Sequence, residues 1–352
     1  MTDFSPLTRN SPSSHGHTVV CFGEALIDFL AGPVVAGEAR AFRQFAGGAP
    51  ANAAVAVARL GGHSEFVGML GEDMFGDFLL ESLRAAGAGV RYVRRTQQAK
   101  TALAFVSLDA DGERSFSFYR PPAADLLFRS SDFDPACLSE CSIFHGCSNS
   151  LTDPDIAAAT LAGMALARDA GALVSLDLNL RPALWPRATP ALPLLWQALE
   201  AADLVKLARE ELEYLETGRD GEGSVVERLL RESRLVVVTD GAGPIRWWTR
   251  DGSGELPSIA VQAVDTTAAG DAFIGGLLSR LQQAGIDARR FDSFLGDRVA
   301  LARCLRYASA CGALAVTRHG AFAALPTHAE ACALLEQARI PASAGATRND
   351  LS

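Results

Sequence analysis

Late in the chain, Val264-Asp265-Thr266-Thr267-Ala268-Ala269-Gly270-Asp271-Ala272-Phe273 opens a long apolar run. The small residues Ala268, Ala269 and Gly270 let backbone N–H groups face outward where a helix starts. Such N–H groups, with the helix dipole, attract phosphate oxygens. Asp271 then falls in the first turn, placed to take a proton from a hydroxyl attacking phosphorus. An acidic cap on a buried helix would look the same. Earlier, Phe45-Ala46-Gly47-Gly48-Ala49-Pro50-Ala51-Asn52 sets Gly47 and Gly48 before a helix, where a ligand can approach the backbone closely. Asn52 could offer sugar hydroxyls both a donor and an acceptor, or be a solvated residue in a tight strand-to-helix connection. In Gly23-Glu24-Ala25-Leu26-Ile27-Asp28, Asp28 follows a strand, where open α/β sheets place ligand groups. Its carboxylate could accept two neighbouring sugar hydroxyls, or simply face solvent.

These residues need elements to hold them. A strand is expected over Val19–Leu26 and a helix over Ala49–Leu60, stopped by Gly61-Gly62. Strands then alternate with helices. Extended runs fall at Ser64–Leu70, Ser142–His145, Leu173–Leu178, Asp203–Leu207, Leu235–Thr239 and Ser258–Val261. Helical runs fall at Gly76–Ala86, Asp155–Ala170, Leu194–Ala201, Gly223–Glu232, Ala269–Ala284 and Arg298–Ala315. Continuous apolar strands alternating with helices indicate an α/β fold, with a mainly parallel central sheet covered on both faces. Thr101–Leu108 and Glu113–Tyr119 break the rhythm as a hairpin about Asp109-Ala110-Asp111-Gly112. With Gly32–Phe45 they form a small β lid, over about residues 30–46 and 101–121. Residues 1–17 and 341–352 read as tails on one domain spanning residues 18–340.

The 352 residues carry 32 basic and 41 acidic side chains, a net charge of -9, so nothing global draws the chain to nucleic acid or anionic membrane. No run is apolar enough to span a bilayer, and the N-terminus lacks a secretory signal pattern. Seven scattered cysteines fit reduced thiols in a cytoplasm better than a disulfide framework. Cys137, Cys141, His145 and Cys147 have no common zinc spacing and read as structural residues. A Walker P-loop sequence is absent.

Taken together, the Gly-Gly-x-x-x-Asn and Asp-Thr-Thr-x-Ala-Gly-Asp segments resemble the ribokinase-like (PfkB) family of sugar kinases, over about residues 19–327. The resemblance implies a ribokinase-like three-layer α/β/α sandwich and transfer of the ATP γ-phosphate to a sugar hydroxyl. Asp271 would be the base, with the Ala268–Asp271 backbone as anion hole. Asp28, Gly47, Gly48 and Asn52 would contact the sugar. Glu113-Arg114-Ser115-Phe116-Ser117-Phe118-Tyr119-Arg120 resembles the lid strand of bacterial fructokinases, which adds Tyr119 and Arg120 as sugar contacts, though both may be ordinary sheet residues. Arg181, in Asp177-Leu178-Asn179-Leu180-Arg181-Pro182, would be a fixed cation for phosphate or substrate oxygens, or a surface salt-bridge partner. Lys206, the Thr239-Asp240-Gly241-Ala242-Gly243 loop and Gly312 would lie on the ATP side. The family also implies Mg²⁺, organised in part by Glu211, K⁺ near Asp265 and Thr267, and dimers joined through the lid.

Three residues depart from the family pattern. Ala268 replaces a glycine, which is tolerable if its φ is negative. Ala208 stands where an Asn-x-x-Glu motif would have Asn, and Asp240 adds an acid to the nucleotide loop. The expected reaction is phosphorylation of D-fructose to fructose 6-phosphate. A kinase for 2-keto-3-deoxygluconate or another ketose, and a non-catalytic sugar sensor, are the rivals.

Overall fold

The computed structural model describes residues 18–32, 37, 39–108, 114–185, 191–218 and 223–338. The lid hairpin turn and both tails lie outside them. The first half of the chain runs β1 (Thr18–Phe22), β2 (Leu26–Ala31), β3 (Phe42–Gly47), α1 (Ala49–Arg59), β4 (Ser64–Val67), β5 (Met69–Gly71), α2 (Met74–Ala85), β6 (Arg94–Thr96), β7 (Leu103–Leu108), β8 (Arg114–Tyr119), α3 (Pro135–Ser139), β9 (Cys141–Cys147) and α4 (Pro154–Asp169). The second half runs β10 (Leu173–Asp177), α5 (Ala191–Glu200), β11 (Leu204–Ala208), α6 (Arg209–Thr217), α7 (Val225–Glu232), β12 (Leu235–Thr239), β13 (Ile245–Thr249), β14 (Gly252–Leu256), α8 (Ala269–Gln283), α9 (Phe291–Gly296), α10 (Arg298–Ala315) and α11 (His328–Gln337).

Eight strands form the main sheet in the order β14-β13-β12-β11-β10-β9-β1-β4. Its pairings from β4 to β12 are parallel, and β13 and β14 add an antiparallel edge. Side chains alternate between two cores, as a strand's period of two requires. Val19 and Cys21 face α1, α8 and α10, while Val20 and Phe22 face α4, α5 and α7. The architecture is a three-layer α/β/α sandwich. Among the described residues no helix is long and apolar enough to cross a membrane.

Three expected strands differ. Ser64–Leu70 divides into β4, on the edge of the main sheet, and β5, which pairs with β6 in a separate two-stranded sheet. Val19–Leu26 is not one strand. β1 ends at Phe22, Gly23 turns with φ 145°, and β2 begins at Leu26 in a second sheet ordered β3-β2-β7-β8. Gly23 and Glu24 interrupt the apolar run, but a Gly-Glu step does not say which sheet the next strand joins, because the strands on either side both bury apolar side chains. Asp28 therefore lies within a lid strand, not beyond a core strand. Ser258–Val261 pairs with no strand; it runs irregularly, with Ser258 Oγ donating to Ala242 O at 2.5 Å.

Helix α8 is wedged between two others. A Cβ at Gly275 would collide with Ala56 of α1, and one at Gly276 would sit 2.9 Å from Cys311 Sγ and 3.1 Å from Ala308 Cα of α10. The absence of side chains there brings three backbones together. Gly275→Val should cost about 1–3 kcal/mol, as overpacking typically does. Thermal melting would read this as a lowered Tm.

Candidate active site

The parallel strands β1, β9, β10, β11 and β12 all end on the same edge of the sheet, and the lid adjoins that edge. Asp271 lies there, 8% exposed, in the first turn of α8. Asn52 Nδ2, from the first turns of α1, donates to Asp271 Oδ2 at 2.7 Å. Asn179 Nδ2, just beyond β10, donates to Asp271 Oδ1 at 3.2 Å. Burial raises the Asp271 pKa to about 6; the Asp177 charge adds to this, while Asn52, Arg181 and Lys206 oppose it.

At the start of α8 the N–H groups of Ala268, Gly270 and Asp271 meet no acceptor among the described residues. The N–H of Ala269 does not join them, since it turns to Thr266 O at 3.3 Å. Ala268 is itself a correction. Its φ is +59°, not negative. The residue holds the left-handed turn that opens the helix, at a cost of about 1–2 kcal/mol for a residue bearing a Cβ.

Beneath this turn, Lys206 Nζ donates to both oxygens of Asp177, at 3.0 and 2.9 Å. The pair is buried. A Cβ on Gly270 would sit 2.8 Å from the ammonium, so glycine leaves room for Lys206 to reach the helix start without displacement. An ammonium and a helix N-terminus thus favour anions at one point. Burial opposes the charge on Lys206, but Asp177 more than compensates and its pKa is raised.

On the lid, Asp28 has its pKa pushed to about 7, first by burial and then by the charges of Asp271 and Asp265. Gly47 lies against it, and a Cβ there would strike the carboxylate. Gly48 has φ +104° and passes so close to Glu24 that a Cβ would lie 2.6 Å from its carbonyl oxygen. Asn52 Oδ1 is buried without a partner, an acceptor left open beside Asp271.

Tyr119 and Arg120 require correction as sugar contacts. Register pairs Asp28 with Ala104 and Ala104 with Phe118, whereas Tyr119 opposes Leu103, which opposes Ile27. Residues paired this way share a face. Phe118 therefore lies on the Asp28 face, and Tyr119 lies on the other, 67% exposed, with its ring against Phe105. Arg120 is 1% exposed. Its Nε and Nη2 lie 2.8 and 2.6 Å from Asp125 Oδ2, and Nη1 donates to Asn149 O at 2.6 Å. It is sealed where the chain returns from the lid to the body. Glu24, where the chain leaves for the lid, accepts from Ala49 N at 3.2 Å and Asn149 Nδ2 at 3.0 Å. The Arg120 charge counters the rise that burial imposes on the Glu24 pKa.

The remaining expected residues spread along the same edge. Arg181 is exposed, and its charge lowers the pKa of both Asp28 and Asp271. It has no ion-pair partner among the described residues. Glu211 accepts from Ala208 N and Leu180 N, both at 2.7 Å, so each oxygen already holds one backbone donor. Asp265 accepts from Thr267 N at 2.8 Å and Gly320 N at 3.2 Å. Thr239 ends β12, and the Gly241–Gly243 turn borders a cavity of about 380 Å³ lined by Ala242, Pro244, Glu255, Pro257 and Ser258. The unexplained Asp240 accepts from Arg209 Nε at 2.7 Å, so its charge is paired. Gly312 lets α10 approach α8, since a Cβ there would lie 3.2 Å from Ala269 O.

Glu24, Asp177, Asn179 and Asn149 were not singled out from sequence as site residues. For two of them a signal existed. Glu24 and Asp177 are acids within apolar strand runs, and a buried charge must find a partner.

A doubly covered parallel sheet with unpaired amide N–H groups at a helix start and a buried carboxylate beside them, all at its carboxyl edge, is an arrangement suited to phosphoryl transfer. The model of the pfkB family carbohydrate kinase matches residues 17–328, and the chain belongs to that family. It is 45% identical to fructokinase-1 of Zea mays over 326 residues, covering 91% of this chain and 98% of that one. The solved structure of Xylella fastidiosa fructokinase with bound ATP superposes with a TM-score of 0.87 at 53% identity, covering 91% of this chain and 98% of the other. Vibrio cholerae O395 fructokinase, solved in its fructose, ADP and calcium ion bound form, gives 0.78 at 32% identity, covering 92% and 100%.

Two measurements follow. Arg120→Leu would strand Asp125 and Glu24 in the interior and should cost about 3–5 kcal/mol in urea unfolding. Asp28 has a folded pKa of about 7 against an ordinary 3.8, so its ionisation opposes folding and the penalty grows as pH rises between those values. Asp28→Asn should therefore raise Tm above pH 7 and leave it unchanged below about pH 4; a Tm difference independent of pH would contradict this.

Proposed function

We propose that the chain phosphorylates D-fructose at its primary hydroxyl, yielding fructose 6-phosphate and ADP. One observation carries the reading: the buried Asp271 carboxylate stands beside free amide N–H groups at the start of α8. In this reading Asp271 takes the hydroxyl proton as oxygen attacks the γ-phosphorus of ATP. The N–H groups of Gly270 and Asp271, with Lys206 and Arg181, offset charge on the phosphoryl oxygens. Asp28 and the open Asn52 Oδ1 hold sugar hydroxyls. Lid closure excludes water as a competing acceptor.

The likeness to fructokinases supports fructose over other sugars. The burial of Arg120 removes one cation that a 2-keto-3-deoxygluconate carboxylate could pair with, leaving Arg181 as the other. Mg²⁺ fits beside Glu211, whose oxygens each retain a free lone pair, and would neutralise phosphate charge. A monovalent cation such as K⁺ would be held near Asp265, whose carboxylate already accepts from Thr267 N and Gly320 N. The nucleotide base would lie toward the cavity beside Gly241 and Gly243, with Thr239 near the phosphates. The aromatic lid face, with Phe42 42% and Tyr119 67% exposed, supports a homodimer formed through the lids. The seven unbridged cysteines support a cytoplasmic setting.

Asp271→Asn should lower turnover at least about a hundredfold in a coupled ADP assay. A variant that turns over at the wild-type rate would remove the base. In the wild type, kcat should fall about tenfold per pH unit below about pH 6, because the base must be ionised to accept a proton. Turnover across fructose, glucose, ribose and 2-keto-3-deoxygluconate should be greatest with fructose. Sugar binding without ADP formation would instead identify a sensor.

A further inference from the structure

We propose that Asn179 is a positioning residue for the proton-accepting carboxylate, fixing which face of Asp271 meets the acceptor hydroxyl. The inference rests on Asp271 acting as the base.

Asp271 is gripped at two points. Asn52 holds Oδ2 from α1, and Asn179 holds Oδ1 from the turn beyond β10. One amide would leave the carboxylate free to rotate about its last bond. Two amides on different oxygens fix its plane and leave one lone pair of each oxygen unspent.

The backbone at Asn179 is consistent with that duty. Its φ is +42°. Among the described residues, Asn179 and Ala268 are the two non-glycine residues with left-handed backbone. Ala268 opens the helix that carries Asp271, and Asn179 donates to the carboxylate itself. Strain at both positions bears on one functional group, where strain tends to be retained. The chain around Asn179 is clamped on both sides. Leu178 N donates to Lys206 O at 3.0 Å, and Leu180 N donates to Glu211 Oε1 at 2.7 Å. The left-handed turn between these anchors aims the side chain at α8. Asn tolerates that turn better than most residues, and alone among the tolerant ones it brings two neutral N–H donors.

Donation from Asn179 favours the ionised carboxylate, the form that accepts a proton. Other groups around Asp271 pull both ways. Asp177 from β10 and Asp28 from β2 oppose ionisation. Lys206 from β11 and Arg181 beyond β10 favour it. Cys147 at the end of β9 remains a neutral thiol, its pKa raised by burial. Asn52 and Asn179 are the neutral donors in the set.

The test compares wild type with Asn179→Gly, Asn179→Asp and Asp271→Ala. For each, kcat and KM for fructose are followed against pH, with thermal melting alongside. Glycine keeps the left-handed turn without strain and deletes the amide. Aspartate keeps the shape but sets a second carboxylate against Oδ1. Asn179→Gly should melt within a few degrees of wild type, lose kcat about tenfold, shift the acid limb up by about one pH unit and change KM less than about twofold. Asn179→Asp should shift the limb further. The limb's position does not depend on how much protein is folded, so it remains readable even if a variant is less stable. An unchanged limb and kcat in Asn179→Gly, with Asp271→Ala inactive, would overturn the positioning role and leave the base intact. A raised KM with unchanged kcat would make Asn179 a sugar contact instead. Wild-type turnover in Asp271→Ala would remove the base, and this proposal with it.

Discussion

A carboxylate proposed to accept a proton has to stay charged, and Asp271 must do so almost out of reach of water. Burial and the negative charge of Asp177 both push it toward the neutral acid. Opposing them are the Asn52 amide, the Arg181 guanidinium and the Lys206 ammonium. The net result is a pKa of about 6, low enough for ionisation at neutral pH and high enough for useful basicity. Most features of the site follow from this balance. Lys206 needs Asp177 to remain charged without water, and Gly270 leaves room for the ammonium beside the helix start.

The scaffold holds that balance by restricting motion around α8. Gly275 and Gly276 bring α1 and α10 against its two sides, so the helix start has little room to shift. The same packing brings Asn52 of α1 within hydrogen-bond reach of a residue 219 positions later. The lid is tied differently. Two of its four connections to the body pass through Glu24 and Arg120, which share Asn149 and lie close enough to influence each other's charge. One buried cluster thus ties two of the lid's crossings to each other and to the body.

The layered fold was legible because each strand has neighbours on both faces. Runs such as Leu235–Thr239 must be apolar throughout, and helices such as Arg298–Ala315 show their period directly. The change of sheet at Gly23 was not legible, since the residues on either side are equally apolar. The antiparallel edge, β13 and β14, was hidden for another reason. Its strands are half-exposed and include Arg246 and Glu255, so no continuous apolar run marks them.

Sequence alone determined the chemistry on offer. An acid after small residues at a helix start, and two glycines before an Asn, limit the groups that can meet there whatever the packing. The tertiary structure decided which groups touch. A strand's alternation turned Tyr119 away from Asp28, a buried acid claimed Arg120, and a left-handed turn brought Asn179 to Asp271. Those outcomes depend on register, burial and backbone hand between segments far apart in the chain. Residue type and local spacing carry no record of such relations, because a side chain's partner across the fold is set by the path of the whole chain.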